Sequence, residues 1–449
     1  MEWLDSIVLP QSADHLTLLR VVGALALIVV YPYLATVVGS TAISLFYRRR
    51  ANRGDRLAFR FAKDVAESGT VSRSAGALLG LAPLVALVFI YAQLGKGIED
   101  GAATYLVVAL LFALAGLSLV YSYRNSIGLR RLFDETEFIG GAPPDLREDA
   151  RAYADEYRDL NNMSGGWGLV FALVASYLFV AGASVLAFPE DRGSSSLLLY
   201  VFTSGKIFLR YLLFLFGGLA LAGSLVALRM FYWEGGKKSI ETAYAEYAKP
   251  RALKIAAFFS LALPALVAGN LFVYPERSLS ETVFALSFAA LAAILLAFHF
   301  LYLGLRRADK FGGGWAYPAL VAAFAFLLVG EMTASGEATE RNSVMLDREY
   351  QAYFAELKGE GGGVEPANGE QIFGTVCAAC HSFENKIVGP PYVETLPKYE
   401  GDKAALKAFI LNPVKVNPEY PPMPAQGLKP NEADAVAEYL LKTYESDYK

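Results

Sequence analysis

Residues 368–381 read NGEQIFGTVCAACH, and the last five of them, Cys377 to His381, organise the reading of the whole chain. Two thiols separated by two residues at the start of a helix match the spacing of the two vinyl groups of a porphyrin. A histidine directly after the second thiol is then carried beneath the iron. The pattern predicts covalent haem c on Cys377 and Cys380, with His381 as an iron ligand. These are the only two cysteines among 449 residues, so neither a disulfide framework nor a cysteine-rich zinc site is open to the chain.

The surroundings agree with that chemistry. Asn368-Gly369-Glu370 followed by Ile372 and Phe373 predicts a helix leading into the motif, Gly389-Pro390 a loop behind it, and Asn431 to Lys442 an amphipathic final helix. These residues resemble the class I cytochrome c family over about residues 364 to 446. The resemblance implies a small all-α domain with a methionine on the second haem face, in a loop before the last helix. Tyr420-Pro421-Pro422-Met423-Pro424 stands at that place, and Met423 is the only methionine of the domain; prolines hold such a loop extended. A thioether ligand raises the potential relative to two histidines, which suits an acceptor of electrons from a quinol-level donor.

Upstream of this domain the composition changes. The whole chain is 55% hydrophobic with a mean hydropathy of +0.35, more than a water-soluble protein of this size carries. Eight apolar runs, near 16–47, 74–95, 102–123, 167–188, 206–232, 253–274, 282–304 and 316–335, are long enough to cross a hydrocarbon core. They lack the alternation of barrel strands, so each reads as a helix, the first with a kink at Pro32. The expected fold is therefore all-α: a polytopic transmembrane bundle over 1–335, a connector and Gly-rich linker over 336–363, and a cytochrome c domain over 364–449. A net charge of −4 without a basic face excludes nucleic acid as a partner.

Orientation follows from charge. Alternate connections hold nearly all the loop Lys and Arg, including Arg48, Arg49, Arg50, Arg130, Arg131, Lys237, Lys238, Arg306 and Arg307, which assigns them to the cytoplasm. Eight crossings return the C-terminus to the outer side with the N-terminus. Haem c attachment outside the bacterial cytoplasmic membrane requires the same. The first 15 residues carry Glu2, Asp5 and Asp14 but no Lys or Arg, unlike a cleavable signal, so the first span is the expected targeting element. In the longest inner connection, 124–166, the charged run after Pro143 and Pro144 reads as a solvated cytoplasmic helix.

One helix would anchor a cytochrome, so eight call for another role. Three histidines exist. With His381 assigned, His15 and His299 lie at opposite membrane faces, some 25 Å apart at about 1.5 Å per helical residue, which excludes a shared bis-histidine haem. At the outer face Asp14, His15 and Arg20, then Lys206 and Arg210, then Glu331 and Met332 are ionisable or ligating residues at the edge of the apolar zone, where such groups are costly. His15, Glu331 and Met332 form the candidate haem b site. His299, between aromatics, reads as an interfacial residue, with a quinone contact or a haem ligand as the alternative. The membrane portion is similar in outline to the large subunit of bd-type quinol oxidases: His15 before LTLLRVVGALAL, the basic RRRANRGDR run, and Glu331 in LLVGEMTASGE match in place. It lacks that family's mid-chain haem histidine and its GRQPW-like run. The resemblance implies haem b and quinone as further cofactors. No phosphate loop, nucleophile elbow or HExxH pattern occurs.

Two functions fit these observations. One is a subunit of a quinol-linked oxidoreductase that passes electrons to haem c outside the membrane, within a respiratory or photosynthetic complex. The other is a non-catalytic docking subunit whose cytochrome relays electrons between partner subunits or soluble cytochromes.

Overall fold

The computed structural model describes residues 11–51, 55–98, 101–136, 144–192, 196–233, 240–306, 312–357, 368–418 and 420–449, and every regular element among them is a helix. Pro143, Lys237, Lys238, Arg307, the linker over 358–363 and the expected domain start at Val364 lie outside these residues. The chain divides into two compact units, Met1–Tyr350 and Gln351–Lys449.

The first unit is built from α1 (Ala13–Ala51), α2 (Arg56–Gly69), α3 (Arg73–Leu94), α4 (Ala102–Thr136), α5 (Pro144–Ala187), α6 (Leu197–Thr203), α7 (Gly205–Tyr232), α8 (Thr242–Val273), α9 (Glu281–Leu305), α10 (Gly312–Ala338) and α11 (Glu340–Leu357). Eight of these, α1, α3, α4, α5, α7, α8, α9 and α10, are long and apolar enough to cross a membrane. The protein is thus a multi-pass membrane protein. α7 stands at the centre of the bundle, with 61% of its apolar window buried, against 22% for α9. Large side chains such as Phe258, Phe272 and Phe288 face outward, as lipid contact requires.

In lipid the apolar effect does not drive helices together, so close backbone approach and buried polar contacts must do so. α1 and α7 meet backbone to backbone: a Cβ on Gly39 would lie 2.2 Å from the Gly218 carbonyl oxygen, and one on Gly218 would lie 2.4 Å from that of Ala35. Toward the Arg48 end, Arg48 Nη1 donates to the Asn161 backbone oxygen at 2.9 Å and to its Oδ1 at 2.6 Å. Asn161 Nδ2 passes the network on to Ser126 Oγ at 2.9 Å and the Tyr123 carbonyl at 3.2 Å. Ser44 Oγ lies 2.8 Å from the Tyr123 hydroxyl. This buried knot ties α1, α4 and α5 together.

α1 is one helix with Pro32 inside it, and the Pro32 carbonyl accepts from Thr36 Oγ1 at 2.7 Å. The charged run after Pro144 is helical, as expected, and it is continuous with the fourth span. It is the leading half of α5, one 44-residue helix about 66 Å long at 1.5 Å per residue. No proline follows Pro144 within it, so nothing breaks its ladder at the membrane boundary.

The amphipathic connector forms α11. Asp347 Oδ1 accepts from the Ala13 amide at 2.7 Å, Ser343 Oγ from Arg20 Nη2 at 2.6 Å, and Asn342 Nδ2 donates to the Lys96 carbonyl at 3.1 Å. α11 thereby lies against the ends of α1 and α3.

The second unit contains α12 (Gly369–Ile372, continuing as a π-helical turn over Phe373–Cys377), α13 (Tyr392–Thr395), α14 (Lys403–Leu411) and α15 (Pro430–Asp447). α15 turns Ala433, Val436, Ala437, Leu440 and Tyr444 inward, the 3.6-residue period of an amphipathic helix. It crosses α12 at Gly369, where a Cβ would lie 2.2 Å from the Ala435 carbonyl oxygen.

Candidate haem-binding site

Local structure sets the motif in place. The Asn368 side chain caps α12 by accepting from the amides of Glu370 at 3.1 Å and Gln371 at 3.3 Å, satisfying donors that a helix start leaves free. The helix then widens by one residue per turn, with the Ala378 amide reaching the Phe373 carbonyl at 2.8 Å. That widening turns Cys377 into the core, while Cys380 stays half-buried. The amide of His381 bonds back to the Cys377 carbonyl at 2.9 Å.

Cys377, Cys380, His381 and Met423 line one cleft of about 80 Å³. Its remaining wall is largely apolar, from Val376, Val388, Pro390, Pro421, Pro422 and Pro424. Met423 lies on an extended loop without regular structure. The imidazole is held on three sides. His381 Nδ1 lies 3.2 Å from the Pro390 carbonyl oxygen; a carbonyl can only accept, so Nδ1 is the N–H donor and Nε2 keeps its lone pair for a metal. Tyr392 stacks on the ring, centroids 5.0 Å apart and planes within 17°. Gly389 presses from the loop, where a Cβ would sit 2.2 Å from His381 Cε1. Burial pushes the Cys377 thiol up to about 11, with the neighbouring Cys380 adding to the shift, and burial likewise raises the Tyr392 hydroxyl. Cys377 is therefore a neutral thiol near pH 7, free of a buried charge.

The donor set fits a covalently held haem: two thiols, an imidazole with one nitrogen committed elsewhere, and a thioether, all on one apolar cleft. The structure brings together on this cleft the four residues that the sequence singled out, with the Gly389-Pro390 loop. Sequence reasoning missed Tyr392, whose stacking depends on a fold-back that spacing does not encode.

The membrane candidates fare differently. His15 is exposed, with Nε2 3.1 Å from Gln93 Oε1. Met332 is buried at 4% exposure and packs over Gly23. Glu331 instead lines an internal cavity with Leu27 and Arg210. Leu27 is twelve residues beyond His15 on α1, about 18 Å along the axis. The expected haem b trio of His15, Glu331 and Met332 is thus not assembled: the three residues serve a surface contact, a cavity and a packing interface. His299 is exposed on α9 beside Phe300, and Lys206 is ion-paired with Asp191. No group of three or more His, Cys, Asp or Glu that could hold a metal ion occurs among the described residues.

Residues 364–440 match the family described as cytochrome c oxidase, cbb3-type, subunit III. The chain is also 34% identical to cytochrome c-551 of Pseudomonas denitrificans over 82 residues, which is 96% of that protein and 17% of this chain. The cleft geometry and these similarities concern the same segment, and that segment endows a multi-pass membrane protein with electron transfer through haem c. Through its C-terminal domain, the chain belongs to the class I c-type cytochromes.

Proposed function

We propose that the protein takes electrons from a membrane quinol and delivers them through haem c on the outer face of a bacterial cytoplasmic membrane, as a subunit of a respiratory or photosynthetic complex. In this reading Cys377 and Cys380 hold the haem through thioether bonds, His381 is the proximal ligand and Met423 the distal one. The bound haem supplies a one-electron redox couple. The chain's own residues set it: the Pro390 carbonyl keeps His381 in the ligating tautomer, and the Met423 thioether raises the potential into a range a quinol-level donor can reach. The single observation that carries this is the convergence of all four side chains on one cleft.

Sidedness rests on charge: Arg48, Arg49 and Arg50 close α1 at one end of the bundle, and basic ends face the cytoplasm. Eight spans put the cytochrome opposite. A respiratory setting is supported by the matched family, whose description is that of an oxidase subunit. Its acceptors would be partner subunits or soluble cytochromes. The separation of His15 from Glu331 leaves haem b without its expected ligands and favours, as a second reading, a docking scaffold that itself oxidises nothing.

Rapid mixing of the purified oxidised protein with a quinol tests the proposal. Haem c should be reduced by quinol as well as by ascorbate. Reduction by ascorbate alone leaves the scaffold reading. The Cys377→Ala, Cys380→Ala double variant should lose haem staining on a denaturing gel yet remain inserted; a retained stained band overturns the attachment sites.

A further inference from the structure

Seven of the eight spans, all but α4, contribute to a cavity of about 60 Å³ in the half of the bundle nearer His15. α7 supplies Arg210, five residues from its start, and α10 supplies Glu331, seven from its end. Arg210 is only 6% exposed, and none of its three guanidinium nitrogens has a hydrogen-bond partner among the described residues. The rings of Phe188 and Tyr274 lie 4.4 and 5.5 Å from its Cζ; they attract the cation but leave its N–H donors unused. Asn270 on α8 is also buried, with Oδ1 unpartnered. Tyr31, Tyr91 and Tyr274 complete the wall.

A second cavity, of about 50 Å³, adjoins the first: Tyr31, Phe179 and Val180 line both. Its other walls are almost wholly apolar and include Leu34, Leu84, Ala113 and Leu117. Each cavity is comparable in size with the cleft of about 80 Å³ that receives the haem.

A buried cation with idle donors is costly unless something accepts from it. An anion such as a lipid phosphate would meet Glu331 in the same cavity, so the complementary head is neutral. It must bring an oxygen acceptor to Arg210, hydrogen-bonding capacity to Asn270 and Glu331, and a flat face to the aromatic walls. The adjoining apolar cavity asks for a hydrocarbon tail. From these features we infer that the paired cavities bind a quinone, its ring oxygen on the Arg210 guanidinium and its tail beyond Tyr31 and Phe179. The inference rests on the quinol reading above and supplies the site that reading lacks.

Calorimetric titration of the detergent-solubilised full chain with a decyl-substituted benzoquinone tests it without any redox step. The wild type should bind. Arg210→Met should weaken binding about tenfold or more, the loss of a charge-assisted hydrogen bond. Ala113→Phe, which fills the apolar cavity and keeps Arg210, should weaken it too. Absence of wild-type binding, or equal binding by both variants, overturns the site. The two readings fail separately: Arg210-dependent binding without reduction of haem c by quinol removes the proposed electron donor and keeps the site. Reduction by quinol that is unchanged in both variants does the reverse.

Discussion

Replacing Gly389 by alanine probes the histidine's mooring. The new Cβ would lie 2.2 Å from His381 Cε1 and 2.6 Å from Nδ1, whereas nonbonded carbons rest at about 3.5–4.0 Å. One partner must therefore yield by about 1.3 Å or more. The loop is poorly placed to do so, since the Gly389 and Val388 amides both bond to the Cys380 carbonyl, at 2.8 and 3.2 Å. The ring can withdraw only by giving up the Pro390 carbonyl or its stack on Tyr392. Overpacking of this kind costs about 1–3 kcal/mol, and here the displacement falls on the proposed iron ligand. Gly389→Ala should keep its thioether-bound haem on a denaturing gel, melt at lower temperature, and show high-spin character in the visible spectrum. Ile387→Ala, at a position 51% exposed and outside the cleft wall, should change neither the melting temperature nor the spectrum. An unaltered spectrum together with unchanged melting in Gly389→Ala would refute the steric reasoning.

Met423→Ala should abolish the far-red sulfur-to-iron band of the oxidised protein and lower the haem potential in a redox titration; retention of both makes another group the ligand. The Asp434 carboxyl is held below its ordinary value by hydrogen bonds from Lys403 and then Lys407. Its folded-state value lies below the unfolded one, so its contribution to stability is present at neutral pH and is lost as the pH falls through and below about 4. Asp434→Asn should flatten the acid side of the melting curve, and parallel curves would count against the pair. Asn161→Leu strips Arg48, Ser126 and Tyr123 of a shared buried partner and should cost about 2–3 kcal/mol in a denaturant titration in detergent; a neutral result would show that water replaces the amide.

Covalent chemistry and hydropathy are local properties, and they were readable in advance. The CxxCH spacing named Cys377, Cys380 and His381 outright, and the apolar runs marked eight spans within a few residues at most ends. What escaped depends on helices meeting at a distance in sequence. Arg210 and Glu331 stood out as ionisable groups near a membrane surface, but their convergence with Asn270 and three tyrosines on one cavity is a product of packing. His15 and Met332 looked equivalent to Glu331 by depth; about 18 Å along α1 separates His15 from the cavity that Glu331 lines, and helical rotation turns Met332 away from it. That the polar half of α5 runs on unbroken into the span was not legible, because charge marks solvent, whereas a helix ends only where its hydrogen bonds do.

The Gly39–Gly218 contact has a consequence for the order of assembly. The α4/α5 hairpin joins neighbours in sequence and can close as soon as both have entered the bilayer, since short-range contacts exact little loop entropy. Two contacts of α1 come later: its Arg48 finds Asn161 113 residues on, and Gly39 finds Gly218 later still. The rest of α1 meets α2 and α3, which follow it directly, as where Ser44 Oγ donates to the Ala62 carbonyl at 2.7 Å; during synthesis only its Gly39 face stays open to lipid, until the fifth span to emerge covers it.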